Sequence, residues 1–467
     1  MAHQDQGRKG SSCSHARDLC QALRWLLAGV SLRGIVFRAD CTWTPRSLVL
    51  AGLLWAWSDE KTLRERFAAA RKIIMHCLGR QHQPAASYQA FIKLLRKWTE
   101  PLLAVLQPAF RRRMRETLAS VWTVAGWAVF AADGSKVDVP RTRQNEWRYS
   151  PKSKLSRQGQ KRRGRRAQQA ARERKANIPR IWMTVLWHVG SGLPWAWRTG
   201  PADSSERGHL QDMLPTLPPK SLITADAGFV GYHLWKTVAE AGHELLVRVG
   251  SNVKLLRKLG YARERDGLVY LWPDQAAKKW LPPLVLRLVV VSTGRYPIYL
   301  VTSIRNTRAL SDRQVAEVYR GRWGIEVYYR HCKQTFERRK LRSRNPDNAM
   351  VELHWSLLGM WAMGLHAHSR LVRQGVPPRR ISFAGVWRAY RRPMREYKCT
   401  ADIGERLTEL LDRAIIDSYQ RKNKNSREYP RKKQEQPAGP PLIRVASRSQ
   451  VRLAQEVKAQ QKKRLTA

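Results

Sequence analysis

The chain has 467 residues and carries 87 Lys plus Arg against 36 Asp plus Glu, a formal charge of +51. With 43% hydrophobic residues and 19 Trp it is not merely a disordered polycation, and its length suits about two to four domains. The charge calls for a polyanionic partner, nucleic acid first, because neutralising phosphates releases condensed counterions.

Residues 1–115 read as mostly helical. Segments near Leu19–Leu27, Ser47–Trp57, Glu60–Leu78 and Ala90–Trp98 show apolar spacing between turn signals such as Thr44-Pro45 and Gln83-Pro84. The most apolar of them, Ser47–Trp57, is about half the ~20 residues a membrane-spanning helix needs. The leading MAHQDQGRKG has no apolar signal core. Cys13, Cys20, Cys41, Cys77, Cys332 and Cys399 form no Cys-x-x-Cys pair, so reduced thiols in a cytosolic protein are expected.

The apolar run Val129–Ala132 ends at Asp133 and Gly134, as a buried strand would. A basic stretch at 152–175 follows, in which Arg162, Arg163, Arg165 and Arg166 are candidate phosphate contacts. Its like charges repel, so it is expected to order only on a polyanion, without base-specific readout. Next come IWMTVLWHV and LPWAWRTG, a hairpin around Gly190–Gly192, then a helix at Ser204–Leu214. The strand Leu222–Ala225 leads into Asp226 and Gly228. An Asp after a strand is often only a turn former or helix cap. Strand, strand, strand, helix, strand, however, is the order of an RNase H-like core, with an Asp at each of two strand ends.

From Asp133 to Asp226 is 93 residues, and from Asp226 to Glu326 is 100. A minimal core needs far fewer in the second interval. The surplus reads as a β-rich insertion at about 250–308, built from segments such as LVYLWP, PLVLRLVVVST and YPIYLVTSI. Tyr319, Arg322, Glu326 and Lys333 then recur at offsets of three, four and seven, which return to one face of a helix. Such a Glu can simply pair with its helical neighbours. Together with two strand-end Asp residues, it makes the carboxylate set of an RNase H-like phosphotransferase. Two divalent ions about 3.5–4 Å apart would clamp the attacking and leaving oxygens there.

These motifs resemble those of the DDE transposases of the bacterial insertion-sequence-four type, the group that includes the transposase of transposon Tn-five. That family's signature of Tyr, two residues, Arg, three residues, Glu, six residues, Lys is matched at Tyr319, Arg322, Glu326 and Lys333. The RW-x-IE core and the LRSRNPDNAMVELHW that begins at Leu341 are also typical. Asp133–Ser135 resembles the family's Asp-Gly-Ser/Thr motif, and Asp226–Phe229 its Asp-x-Gly-Phe motif. Ordered resemblance runs from about residue 120 to 375.

The expected fold class is therefore α/β. A helical DNA-binding region (1–118) precedes an RNase H-like catalytic core (119–375) with its inserted strands, and a C-terminal helical region and basic tail (376–467) follow. Clustered carboxylates repel until a cation arrives, and Mg²⁺ needs few protein ligands. Asp133, Asp226 and Glu326 are thus the candidate catalytic metal ligands for two Mg²⁺, with Mn²⁺ substituting and Asp133 bridging. Arg322 can grip a phosphate bidentately, Lys333 as a point charge, and Tyr319 through its hydroxyl.

The resemblance implies cleavage of double-stranded DNA at element ends, joining of 3′ ends to target DNA, and a homodimer in the synaptic complex. It also implies a hairpin intermediate and a flipped base, for which Trp272 and Trp280 are stacking candidates; Trp323 reads as packing. A cytoplasmic, nucleoid-associated bacterial protein without a membrane span is expected. Two rivals stay open: a structure-specific nuclease without strand transfer, and a catalytically silent DNA-binding descendant of a transposase. The stripe and insertion argue against the first, the intact carboxylates against the second. Farther on, Asn348–Val372 reads as a long bracing helix in which Glu352, His354, His366 and His368 are structural. From Arg421 onward the tail is expected to have little fixed structure, with a helix near Gln450–Lys463 forming on binding.

Overall fold

A computed structural model describes residues 14–78, 84–151, 178–293, 296–398, 405–416 and 439–466. Four helices come first: α1 (Ser14–Leu27), α2 (Pro45–Trp57), α3 (Leu63–Leu78) and α4 (Tyr88–Thr117). Thr44 and Ser47 close a capping box at the start of α2, with Pro45 in its first turn. Helix α4 runs well beyond the expected Trp98, through Pro101 and Pro108. Burial of Leu95, Leu102, Leu106, Phe110 and Met114 along one face outweighs the hydrogen bonds that two prolines remove.

The ten strands among the described residues form one sheet. They are β1 (Val129–Asp138), β2 (Arg180–His188), β3 (Leu193–Gly200), β4 (Leu222–Ala225), β5 (Glu244–Val249), β6 (Lys254–Arg257), β7 (Leu268–Leu271), β8 (Leu284–Thr293), β9 (Tyr296–Thr302) and β10 (Leu442–Val445). Their order across the sheet is β10-β6-β7-β8-β9-β5-β4-β1-β2-β3. Strands β1, β4 and β5 are parallel neighbours, and β2 runs antiparallel between β1 and β3. The molecule is thus a mixed α/β fold with a large sheet.

Of the helices outside the N-terminal four, α5 (Arg143–Tyr149) follows β1, α6 (Glu206–Met213) follows β3, α7 (Tyr232–Glu240) precedes β5, and α8 (Asp274–Lys278) lies between β7 and β8. After β9 come α9 (Asp312–Gly321), α10 (Gly324–Arg330), α11 (Pro346–Arg373), α12 (Phe383–Arg395), α13 (Leu407–Asp412) and α14 (Arg448–Thr466).

Helix α11 is buried on nearly every side, and α1–α4 pack into the same hydrophobic core. The Trp57 indole donates to the Gly359 carbonyl at 2.9 Å, and the Trp355 indole to Thr99 Oγ1 at 3.0 Å. Glu352 accepts from the Arg342 and Ser343 amides and the Ser343 hydroxyl. His354 accepts from the Trp197 indole, while His366 meets Tyr390 and His368 the Ser191 carbonyl. These four side chains therefore tie α11 into the fold.

Four expectations change. Strand β1 does not stop at Ala132 but continues to Asp138, because β2 pairs with its whole length while β4 ends at Ala225; Asp133 is consequently mid-strand. The inserted strands extend the core sheet through antiparallel pairing of β9 with β5. The end of the tail takes up fixed structure within the chain itself. β10 pairs in parallel with β6, and α14 buries Ala454 and Val457, because β6 would otherwise leave an open sheet edge; tail residues 421–438 lie outside the described residues. Finally, Cys20 is disulfide-bonded, whereas Cys41 and Cys332 are free thiols; chain spacing gave no sign of which thiols packing brings together.

Candidate active site

The parallel register of β1 and β4 ends at the pair Ala132 and Ala225. Asp133 and Asp226 are the next residues on the two neighbouring strands, so their backbones lie side by side, about 4.8 Å apart as in any sheet. Beyond this point β1 has no β4 partner, and its far end pairs instead with the segment around Lys340. Asp226 Oδ1 accepts the Gly228 amide at 2.8 Å, which orients the carboxylate in the turn. Burial, followed by the charge of Asp226, pushes the Asp133 carboxyl up to about 7.

Helix α10 crosses at Asp133. The Tyr329 hydroxyl donates to the Asp133 carbonyl oxygen at 2.6 Å, which pins the helix that carries Glu326 to β1. The expected single helix from Tyr319 to Lys333 is instead three pieces: α9, α10 and a π-turn at His331–Thr335. The break falls at Arg322–Trp323, where Gly324 presses on Trp187; a Cβ there would come within 1.9 Å of the indole.

The stripe survives this break only in part. Arg322 is ion-paired with Glu326 at 2.9 Å, and its guanidinium carbon lies 5.5 Å from the Tyr319 ring centroid. The neighbouring Asp133 also acts on the Arg322 charge. Lys333 leaves the group and donates to Ser135 Oγ at 2.7 Å, with burial lowering its pKa. Tyr319 is raised by burial. Among the described residues no three carboxylate, His or Cys side chains converge closely enough to hold one metal ion. Glu326 is turned toward Arg322, one helical turn before it.

The sequence reading missed a fourth acid. Glu206 opens α6, and its carboxyl lies over Gly134: a Cβ on that glycine would come within 2.7 Å of Glu206 Cδ and Oε1. Burial and then the Asp226 charge raise its pKa, and it adds to the raising of Asp133. The sequence signal was an acidic first turn behind Ser205, which reads simply as a helix start.

Of the stacking candidates, Trp280 is 44% exposed with φ at +55°. Trp272 is buried and donates to the Leu281 carbonyl, so it cannot stack a base; its place at the end of β7 directs it into the core. Trp323, expected to pack, is instead 56% exposed, because the break between α9 and α10 turns it outward. Arg162, Arg163, Arg165 and Arg166 lie outside the described residues, as does the rest of the basic stretch. No helix among the described residues is long and apolar enough to cross a membrane.

A family model described as "Transposase DDE domain" matches residues 128–361, half of the chain. The transposase InsG for insertion sequence element IS4 of Escherichia coli (strain K12) is 28% identical over 222 residues, covering 45% of this chain and 49% of that protein. The putative transposase y4zB of Sinorhizobium fredii is 27% identical over 143 residues, 28% of this chain and 39% of that one. The chain thus spans about half the length, or less, of the curated relatives it matches. A cryo-EM structure of the piggyBac transposase synaptic complex with hairpin DNA aligns over 91% of this chain and 90% of its own, at 12% identity and a TM-score of 0.38.

Proposed function

The chain belongs to the DDE transposase family, of the insertion-sequence-four type, and on that premise we propose that it cuts DNA at element ends and joins the 3′ ends to target DNA. The observation that carries this reading is the register that sets Asp133 beside Asp226, with Glu326 on a helix tied to the Asp133 carbonyl. The strand order β3-β2-β1-β4-β5, with only β2 and β3 hairpin-paired against the parallel trio, supports an RNase H-like core. The core is extended by β6–β9 and preceded by the helices of residues 1–118.

The donor set fits divalent cations. Hard carboxylate oxygens sit beside one another, and Asp133 is held in a setting that favours its proton until a positive charge arrives. Asp133, Asp226 and Glu326 would hold two Mg²⁺, or Mn²⁺ in their place, which when bound activate the attacking hydroxyl and stabilise the leaving oxygen. For Glu326 to serve, Arg322 must let go of it. A DNA phosphate is the natural replacement, since guanidinium grips phosphate bidentately. Arg322 therefore exchanges one anion for another, and DNA entry frees Glu326 in the same movement.

Tyr319 and Lys333 flank the same backbone, Lys333 by trading Ser135 for a phosphate oxygen. The basic stretch would contact the phosphates of two DNA ends brought together in a homodimer, a reading that the charge balance and the family support. Trp280 is the remaining stacking candidate for a flipped base, and a hairpin intermediate accords with it.

The test is a reaction of the full chain with linear DNA bearing the inverted repeats that flank its gene. Wild type should cleave the ends and join them to a second duplex when Mg²⁺ is present. Asp133→Ala, Asp226→Ala and Glu326→Ala should each abolish both steps while DNA binding persists. Cleavage without joining would favour a nuclease, and normal activity in any one variant would overturn the triad.

A further inference from the structure

We propose that Glu206 is a fourth carboxylate of the metal centre, reaching the cations through their bound water. The inference rests on the reading of Asp133 and Asp226 as metal ligands and adds a residue that the three-carboxylate motif does not include. Three observations carry it. The Glu206 side chain crosses from α6 to the catalytic strand and lies over Gly134, the residue after Asp133; a Cβ there would meet its Cγ, Cδ and Oε1 within 2.8 Å. On its other side, a Cβ on Gly228 would stand 3.9 Å from Glu206 Oε2 and 2.9 Å from Asp226 Oδ1. The two motif glycines are therefore the floor on which the Glu206 and Asp226 carboxyl groups meet. Finally, none of the described residues hydrogen-bonds to or ion-pairs with the Glu206 carboxylate.

A half-buried carboxylate beside two others, on which Lys136 and Arg207 act without a hydrogen bond or ion pair, raises the energy of the fold. An acid kept only to start α6 has an easier position available, since the first turn of a helix favours negative charge whichever way the side chain points. Glu206 instead points inward. Direct ligation of one ion by three of these groups is not what the geometry offers, because no three converge that closely among the described residues. Mg²⁺ keeps several of its waters when bound, and a carboxylate just outside the ligands accepts hydrogen bonds from them. Carboxylates in that position orient the centre and change metal affinity or activity by about 10–100-fold. Gly134 then has a specific role, since any side chain there would push Glu206 away from the pair.

The experiment titrates Mn²⁺ into the full-length protein, followed by calorimetry, with melting curves recorded with and without the ion. Glu206→Gln keeps the shape and loses the charge. It should weaken Mn²⁺ binding by about tenfold or more, raise the melting temperature of the metal-free protein, and shift the Mg²⁺ dependence of cleavage to higher concentration. Gly134→Ala, which displaces rather than neutralises Glu206, should weaken Mn²⁺ binding in the same direction. Mn²⁺ affinity within twofold of wild type in Glu206→Gln, or a lower metal-free melting temperature, would overturn the proposal and leave Glu206 as a helix-starting acid. Asp133→Asn and Asp226→Asn run beside it as controls. If they too bind Mn²⁺ like wild type, the reading of the whole centre falls; if they lose it while Glu206→Gln does not, only the role of Glu206 falls.

Discussion

Two regions of the ten-stranded sheet, its β10 edge and the interior seam between β4 and β1, are built on opposite terms. At the β6–β10 end every device favours the fold: the β6 edge is covered by β10, α14 buries Ala454 and Val457, and Tyr261 donates to Gln461 across the seam. At the β1–β4 seam the strands bring like charges together. Asp133 and Asp226 directly follow the last pair of one register, Glu206 leans over Gly134, and the cation that Glu326 meets is Arg322, on its own helix stripe. The edge uses its interactions for closure, while the interior seam leaves them for a ligand to supply. That contrast separates scaffold from site more clearly than any single residue does.

The largest expected effect lies at the closed end. Removing residues 439–467 exposes the β6 edge and the seat of Val457, where one fully buried aliphatic side chain alone contributes about 1.5–3 kcal/mol. The truncated protein should melt well below wild type or fail to stay soluble; an unchanged melting curve would mean that α14 adds nothing to the fold. The charge of this region is tested separately by Arg448→Glu with Lys458→Glu, both on the exposed side of α14. That variant should fold normally yet flatten the salt dependence of DNA affinity by about one to two counterions. An unchanged slope would show that this helix does not touch DNA.

A smaller effect is expected where scaffold meets site. Gly324→Ala would drive a methyl group into Trp187, an overpacking that costs about 1–3 kcal/mol. Since α10 carries both Tyr329 and Glu326, cleavage should fall by more than stability does. Equal losses of both would mean that the position of α10 does not govern the chemistry. Smaller again is Lys333→Ala, which should weaken end cleavage by about 1–3 kcal/mol, the scale of one charged hydrogen bond, and leave metal affinity unchanged. Lys333→Arg should recover part of the loss if a phosphate is the partner, and wild-type cleavage by Lys333→Ala would reduce the residue to a tether for Ser135.

Much of this contrast was legible in the sequence, for identifiable reasons. Hydrophobic runs that lead into an Asp with a Gly one or two residues on marked β1 and β4 because the strands are buried on both faces, and Val/Leu/Tyr-rich segments marked β7–β9. Local patterns could not show pairing. Nothing in KLLR or in the tail announces that β6 and β10 will meet across nearly 200 residues of chain, nor that β1 outruns β4. The Tyr319–Lys333 spacing gave the contacts among Tyr319, Arg322 and Glu326, but not the break, which depends on Trp187 lying opposite Gly324. Glu206 was illegible for the same reason: its meaning comes from Gly134, which lies on β1 and not on its own helix. Trp272 and Trp323 exchanged the roles expected of them because composition does not say which way an indole faces.

The central claim is that the Asp133–Asp226 pair is a centre completed by divalent cations, and thermal unfolding as a function of pH tests it without any DNA. In the metal-free fold Asp133 titrates at about 7, against 3.8 for an ordinary Asp. Between those values the native state holds a proton that the unfolded chain has lost, so stability should fall as pH rises from about 4 to 7 and stay low above it. Added Mg²⁺ or Mn²⁺ favours the ionised pair, so its stabilisation should grow over the same range as binding releases the proton. Asp133→Asn should melt higher than wild type without metal at pH 8 and gain little from the ion. A metal-induced shift of equal size in Asp133→Asn and wild type, independent of pH, would contradict the account.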